Sequence, residues 1–276
     1  MISRLLSLFG RRKNPVPPSV DSNDFVTRIA RFVRCGDIDR AVERVKSFQM
    51  DHPHDKKTLC NASIKISEGG YPGAAVDILS RAVDLNPGDP VLTGNLAAAY
   101  LNDDCFDQAL DMVDQSILLD SQSPNACKLK ASILRELDRV QEARSLCETF
   151  LEHSPNSSLV WFAMGMNHME LDDEDQAIEC FSAAYKLDPT DFRAFANIAA
   201  ALIGANRLEE GERAALEALE INPDDGMTLC NLGLIYEKHE RFDEAINLYQ
   251  KSCEVDPRYT RAKYEVQRLS KHLETK

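Results

Sequence analysis

The sequence lacks the motifs of the common enzyme classes and has no apolar run long enough to cross a bilayer. It contains no GxSxG, P-loop or HExxH motif, so we predict that the protein is not an enzyme. Its eight cysteines form no CxxC pair, which argues against a zinc site or a disulfide framework and is typical of a reducing compartment. His52 and His54 form an HxH pair, but a metal site needs a third ligand nearby. We therefore predict no metal site and no cofactor.

Basic residues are outnumbered by acidic ones, and the net charge at pH 7 is −13. Residues 1–20 contain four basic side chains and no acid, so the rest of the chain is more acidic than the whole. An acidic surface repels phosphate backbones, and nucleic acid is not an expected partner. The same charge keeps a protein soluble. We expect a cytoplasmic location, with peripheral contact with the inner membrane as an alternative.

The strongest feature that is present is a period of 34 residues, which marks a chain built from one repeated helical unit. Six of the seven anchor positions are proline: Pro53, Pro87, Ser121, Pro155, Pro189, Pro223 and Pro257. The anchors predict repeats at 22–55, 56–89, 90–123, 124–157, 158–191, 192–225 and 226–259. We expect one continuous array, because repeats of this kind contact only their neighbours.

Each repeat is predicted to be a pair of antiparallel helices joined by a short turn. The twentieth position is never larger than alanine, as close helix crossing requires: Ala41, Ala75, Ala109, Ala143, Ala177, Gly211 and Ala245. The eighth position is small from the second repeat onward, and Ile29 occupies it in the first. The proline follows the second helix, where the chain must leave the helical conformation.

These repeats resemble the tetratricopeptide repeat family over residues 22–259. The seventh repeat, LCNLGLIYEKHERFDEAINLYQKSCEVDP, is close to the family consensus, and the fifth has the family's tryptophan, Trp161. The fourth repeat departs from the pattern, with Lys130 where leucine is usual. The resemblance implies an all-α fold, an α-solenoid forming a right-handed superhelix. It also implies a concave groove lined by the first helix of each repeat.

Two terminal segments flank the repeats. Residues 260–276 have an apolar stripe and are predicted to form a capping helix over the last repeat. Residues 1–21 are predicted to be a basic amphipathic tail followed by a proline-rich spacer over 14–21. The tail has apolar residues at helical spacing followed by a basic cluster: Ile2, Leu5, Leu6, Phe9, Arg11, Arg12 and Lys13. It could lie on an anionic membrane surface, dock into a partner's groove, or be a disordered segment with accidental patterning.

The predicted groove has two features that suggest binding. The resemblance places the sixth residue of each repeat in the groove, and four of these are asparagine: Asn61, Asn95, Asn197 and Asn231. A ladder of amides can hold the backbone of an extended peptide, although asparagine at this position could equally bond only within the array. The groove also has apolar positions that are typical of an interaction surface: Phe162, Met166, Met169, Leu101, Ile203 and Leu234.

One activity of the family is not expected here. Its chaperone-binding members clamp a terminal carboxylate with lysine, arginine and asparagine on three successive repeats. The nearest set in this chain is Lys128 with Ser132, then Ala163, then Arg193 with Asn197, and it lacks the key amides. We therefore predict no carboxylate-clamp binding of chaperone tails.

The leading functional prediction is a non-enzymatic scaffold that binds an extended or helical segment of a protein partner in its groove. A second is a membrane-peripheral assembly factor for a secretion, pilus, flagellar or envelope-biosynthesis machine, recruited through residues 1–13. A third is a regulatory subunit of an enzyme. The repeat pattern does not identify the partner, because a fold by itself does not specify a function.

Overall fold

The computed structural model describes residues 22–257 and 260–274, which fold into fifteen α-helices and no strand. The all-α fold predicted from the sequence is therefore confirmed. Two compact units make up these residues, divided between Cys105 and Phe106. The first unit contains α1 (Ser22–Arg34), α2 (Ile38–Asp51), α3 (Lys56–Glu68), α4 (Pro72–Leu85) and α5 (Pro90–Asn102). The second contains α6 (Phe106–Leu119), α7 (Pro124–Glu136), α8 (Val140–His153), α9 (Ser158–Glu170), α10 (Glu174–Leu187), α11 (Phe192–Gly204), α12 (Leu208–Ile221), α13 (Gly226–Lys238), α14 (Phe242–Val255) and α15 (Thr260–Glu274).

The helices keep the 34-residue register of the sequence. The seven odd-numbered helices from α1 to α13 have 13 residues each, and each begins at the first residue of a predicted repeat. The even-numbered helices from α2 to α14 have 14 residues each. The third predicted repeat contributes α5 to one unit and α6 to the other.

The turn inside each repeat depends on one residue in the left-handed conformation. The fifteenth residue of every repeat has a φ between 53° and 90°. These residues are Gly36, Gly70, Asp104, Asp138, Asp172, Asn206 and Glu240. The left-handed conformation ends the first helix and turns the chain into the second. Five of the seven are not glycine, which is why the residue types alone did not reveal the conformation.

A side-chain cap begins the first helix of each repeat from the second onward. The last residue of the preceding repeat is aspartate or serine, and its side chain accepts a hydrogen bond from a backbone N–H in the first turn. The caps are Asp55, Asp89, Ser123, Ser157, Asp191 and Asp225. Such caps accept hydrogen bonds from the first backbone N–H groups of a helix, which have no partner within the helix. They therefore determine the residue at which the helix begins.

In the fifth and seventh repeats, a glycine of the first helix packs against a large aromatic ring of the second helix. A Cβ atom at Gly165 would lie 2.6 Å from a ring carbon of Phe181, and one at Gly233 would lie 2.8 Å from a ring carbon of Tyr249. Both aromatic side chains are fully buried. The eighth position is therefore small in these repeats because a large side chain of the second helix fills the space above it.

The fourth repeat accommodates its unusual lysine through a charge pair. The Lys130 ammonium lies 2.6 Å from the Asp114 carboxylate of α6. The side chain keeps about a quarter of its surface exposed, at 26%. The long stem packs as an apolar residue while its charged end reaches solvent.

Helix α15 covers the end of the last repeat. Ala262 and Leu269 are buried in one cluster with Tyr249 of α14 and Cys230 of α13. Arg268 adds a double hydrogen bond to the Glu237 carboxylate, at 2.6 and 2.5 Å. These contacts shield the apolar side of the final helix pair from water.

Candidate functional site

The most distinctive surface of the second unit is a half-buried aromatic ring between two cations. Phe162 of α9 lies with its ring centroid 6.0 Å from the Lys128 ammonium of α7 and 5.5 Å from the Arg193 guanidinium of α11. The ring also packs against buried Phe181, at a centroid distance of 5.3 Å. Cations above an aromatic face are attracted to its electron-rich centre. First helices of three successive repeats thus supply one cluster, here called the recognition cluster: Lys128, Phe162 and Arg193.

The two cations of the recognition cluster differ in how they are neutralised. Arg193 is paired with Asp191, whose carboxylate accepts hydrogen bonds at 2.7 and 2.5 Å and consequently has a lowered pKa. Lys128 forms no ion pair within the part of the chain that the structure describes. Burial is the main cause of the lowered pKa of Lys128, and the nearby charges of Arg193 and Arg135 lower it further, against an opposing effect of Asp191. An anionic group arriving at Lys128 would therefore be attracted.

A buried polar network fixes the base of this cluster between α7 and α9. Arg135 donates to the Asn167 amide oxygen at 3.0 Å and to the Ser132 hydroxyl at 3.1 Å. Asn167 is fully buried, and its amide nitrogen lies 3.6 Å from the Cys147 sulfur. Burial lowers the pKa of Arg135. Sequence reasoning missed this network, because neither Arg135 nor Asn167 belongs to a motif.

The predicted apolar residues of the second unit lie around Phe162 and along the neighbouring first helices. Met166 and Met169 of α9 are partly buried and pack with Phe162 against the core of α10 and α11. Ile203 of α11 and Leu234 of α13 are also partly buried. Most of each side chain is covered by the protein, and the exposed remainder is available to a ligand.

The two predicted asparagines of the second unit have different surroundings. The Asn197 amide nitrogen donates to the Arg193 carbonyl oxygen one turn earlier, at 2.8 Å, and the side chain is partly exposed. Asn231 is only 5% exposed. The pair therefore does not present a uniform row of amides.

In the first unit the predicted residues occupy α3 and α5. The Asn95 amide nitrogen donates to the Val91 carbonyl oxygen at 2.8 Å and to the Cys60 sulfur at 3.4 Å. Asn61 and Leu101 are partly buried. Both N–H groups of Asn95 are thus used inside the array, and only its oxygen is left for a peptide.

The predicted tail lies outside the described residues: Ile2, Leu5, Leu6, Phe9, Arg11, Arg12 and Lys13. Across 22–257 and 260–274, no cluster of three or more histidine, cysteine or acidic residues has the arrangement of a metal site. None of the helices in those ranges combines the length and the apolar character of a membrane span.

Two protein-family models match the sequence. The tetratricopeptide repeat model matches residues 227–259, and the model for the N-terminal repeat region of psidin matches residues 100–198. A peroxisomal targeting signal receptor from Candida albicans is 24% identical over 192 residues, which are 64% of this chain and 32% of the receptor. The tetratricopeptide repeat-containing protein trd-1 of Caenorhabditis elegans is 23% identical over 68% of this chain and 24% of its own length. The chain thus spans a third or less of these two relatives.

Solved structures share the fold at low sequence identity. A repeat protein from Parabacteroides merdae superposes with a TM-score of 0.67 at 13% identity, over 90% of this chain and 98% of its own. The Cut9–Hcn1 assembly of the anaphase-promoting complex gives a TM-score of 0.65 at 15% identity, over 89% of this chain and 48% of the other. At these identities the likeness establishes the architecture of paired helices.

Proposed function

The chain belongs to the tetratricopeptide repeat family, and we propose that it is a protein-interaction scaffold whose recognition cluster binds an extended segment of a protein partner. The observation that carries the proposal is the placement of Phe162 between Lys128 and Arg193. Members of this family are generally scaffolds without catalytic activity. One relative of this chain is named as a receptor for a targeting signal, which supports segment recognition as a use of the fold.

The cluster favours a segment that combines an apolar side chain with an acidic one. An apolar group on Phe162 and Met166 would bury surface that water now contacts, which is favourable in proportion to the area. A carboxylate beside Lys128 would gain an ion pair in partly desolvated surroundings, where charges interact more strongly than in water. The proposal assigns the Asn197 amide oxygen, whose nitrogen already donates within α11, to accept a backbone N–H of the same segment.

Binding of a terminal carboxylate of a chaperone tail is still not proposed. The position that should supply an amide in the middle repeat is Ala163, which is 2% exposed. A clamp for a terminal carboxylate needs several donors converging on one group, and the cations here flank a ring instead. An acidic side chain within a segment fits this arrangement better than a chain end.

A displayed library of random 12-residue peptides, selected against the full-length protein, tests the proposal. We expect selected peptides that contain both acidic and large apolar residues. Replacing Phe162 with alanine should weaken their binding at least tenfold, which corresponds to about 1.4 kcal/mol. Replacing Lys128 with alanine should weaken acidic peptides about threefold to tenfold, with the effect shrinking at high salt.

Matched controls remove exposed cations elsewhere on the second unit. Lys186→Ala on α10 and Arg213→Ala on α12 delete charges on second helices. They should leave the affinity of the selected peptides unchanged. Equal affinities for Phe162→Ala and wild type would place the binding surface elsewhere. Asn197→Ala reports separately on the predicted amide contact.

We also propose a cytoplasmic location. The eight cysteines form no CxxC pair and no fixed pattern within the repeat, which is the usage expected in a compartment that keeps cysteine reduced. Fractionation of cells that express the protein would test this, and recovery from an oxidising compartment would contradict it.

A further inference from the structure

The first unit has an open groove on the side of its second helices, distinct from the recognition cluster. It lies between the N-terminal halves of α2 and α4, encloses about 490 Å³, and lies in the size range of ligand clefts, roughly 300–1,000 Å³. Its apolar lining is Ile38, Val42, Tyr71 and Ala74, and its charged lining is Asp39, Glu43 and Lys46. We call these seven residues the tail groove. Tyr71 keeps 42% of its surface exposed, so a large aromatic side chain stands at the edge of the groove.

A second, more polar depression continues from the tail groove toward the C-terminal ends of α2 and α4. It is lined by Gln49, Ser80 and four charged side chains, Lys46, Asp77, Arg81 and Asp84. Lys46 is paired with Asp77 at 3.6 Å. The depression carries no net charge, because it has two acids and two bases. The excess of acids lies in the tail groove itself, where Asp39 and Glu43 stand against Lys46.

The N-terminal tail has a composition complementary to that of the tail groove. Reading backward from Ser22, the sequence has the spacer 14–21, then the basic cluster 11–13, then the four apolar residues Ile2, Leu5, Leu6 and Phe9. A tail that ran backward along α2 would bring its basic cluster to Asp39 and Glu43 and its apolar residues to the apolar lining of the groove.

The distances allow this path. Ser22 lies beside Asp55, past the C-terminal end of α2, with a hydroxyl-to-carboxylate distance of 3.4 Å. The tail groove lies near the N-terminal end of α2, and a helix of 14 residues is about 21 Å long. The proline-rich spacer of eight residues can extend to roughly 25 Å at about 3.1 Å per residue. The spacer is long enough to carry the tail to the groove.

We propose that residues 2–13 of this chain dock in the tail groove of the same molecule, with the apolar residues on Val42 and Tyr71 and the basic cluster beside Asp39 and Glu43. Apolar burial would supply the affinity, and the opposite charges of tail and groove would add to it. Docking is intramolecular, so a weak contact is enough, because the short spacer keeps the tail at a high effective concentration. The proposal is independent of the recognition cluster.

Photo-crosslinking in the full-length protein tests the proposal. Benzoylphenylalanine placed at Leu6 should crosslink to peptides that contain Val42, Tyr71 or Ala74, whereas the same group at Ser7, off the apolar stripe, should give at least threefold less. Val42→Arg should reduce the Leu6 crosslink at least fivefold. Met50→Arg, on an α2 residue that is 69% exposed outside the groove, should not change it.

Three further arms make the result decisive. A mixture of isotopically light and heavy protein distinguishes docking within one chain from docking between copies, and crosslinks between differently labelled chains would overturn the proposal. Glu43→Lys should reduce the Leu6 crosslink. Adding Arg11→Glu and Arg12→Glu to the Glu43→Lys protein should restore the crosslink, because the charges are then exchanged. Crosslinking that maps outside the tail groove, or tail binding seen only on vesicles with 30% phosphatidylglycerol, would also overturn it.

Discussion

Replacing Gly165 with alanine should destabilise the second unit, although alanine is the better helix former. The new Cβ would lie 2.6, 2.7 and 2.9 Å from three ring carbons of Phe181. That ring is fully buried and packs against Phe162, so it has no free space to enter. Overpacking of a core costs about 1–3 kcal/mol, and the gain in helix propensity returns roughly 1 kcal/mol. We expect a net loss of up to about 2 kcal/mol.

Thermal unfolding followed by circular dichroism measures this loss, at about 2–4 °C per kcal/mol for a unit of this size. Gly204→Ala is the control, because its nearest neighbour is the flexible end of Glu174, at 3.1 Å, and it should be neutral or stabilising. Adding Phe181→Leu to Gly165→Ala should cost less than the sum of the two single changes, because each relieves the other. A Gly165→Ala protein at least as stable as wild type would refute the reasoning.

Three other predictions concern positions that recur in the repeats and one thiol. Glu240→Gly should raise the free energy of unfolding in urea by about 0.5–1 kcal/mol. Glycine removes the steric strain of a Cβ atom at φ 59°, and this gain outweighs the entropy cost of glycine. Equal stability would contradict this. Asp225→Ala should cost about 1 kcal/mol, because it removes the cap that accepts from the Thr228 N–H at 2.8 Å, whereas Asp224→Ala should cost little. Burial, followed by the charge of Asp89, raises the pKa of Cys60 from 9.0 to about 11. The folded state keeps this thiol neutral, so its contribution to the free energy of unfolding is complete below pH 9 and falls as the pH rises toward 11. Cys60→Ala should therefore reduce the difference between the urea midpoints measured at pH 8 and at pH 10.5. An unchanged difference would contradict this.

The helical framework could be predicted from the sequence because its determinants are local. The first residues of the odd-numbered helices fall where the 34-residue period places them, since each cap and each proline acts on its own turn. The left-handed residue of each turn was not predictable from residue type, because its place holds glycine, aspartate, asparagine and glutamate. Position within the repeat, rather than chemistry, determines it.

The binding residues were less predictable, because their availability depends on neighbouring repeats. The four asparagines share one sequence position, yet Asn231 is buried while Asn95 and Asn197 donate to their own helices. Phe162 was identified by its place on the first helix. Lys128 and Arg193 come from the repeats before and after that of Phe162, and only packing brings them to the ring.

By itself, the sequence determined the period, the paired helices and the family, because these follow from residues close together in the chain. The tertiary structure decided which small residue faces which large one, as with Gly165 and Phe181, and which charges stay unpaired, as with Lys128. The physical reason is that burial and pairing are properties of a side chain's surroundings. In this protein those surroundings are supplied by adjacent repeats rather than by adjacent residues.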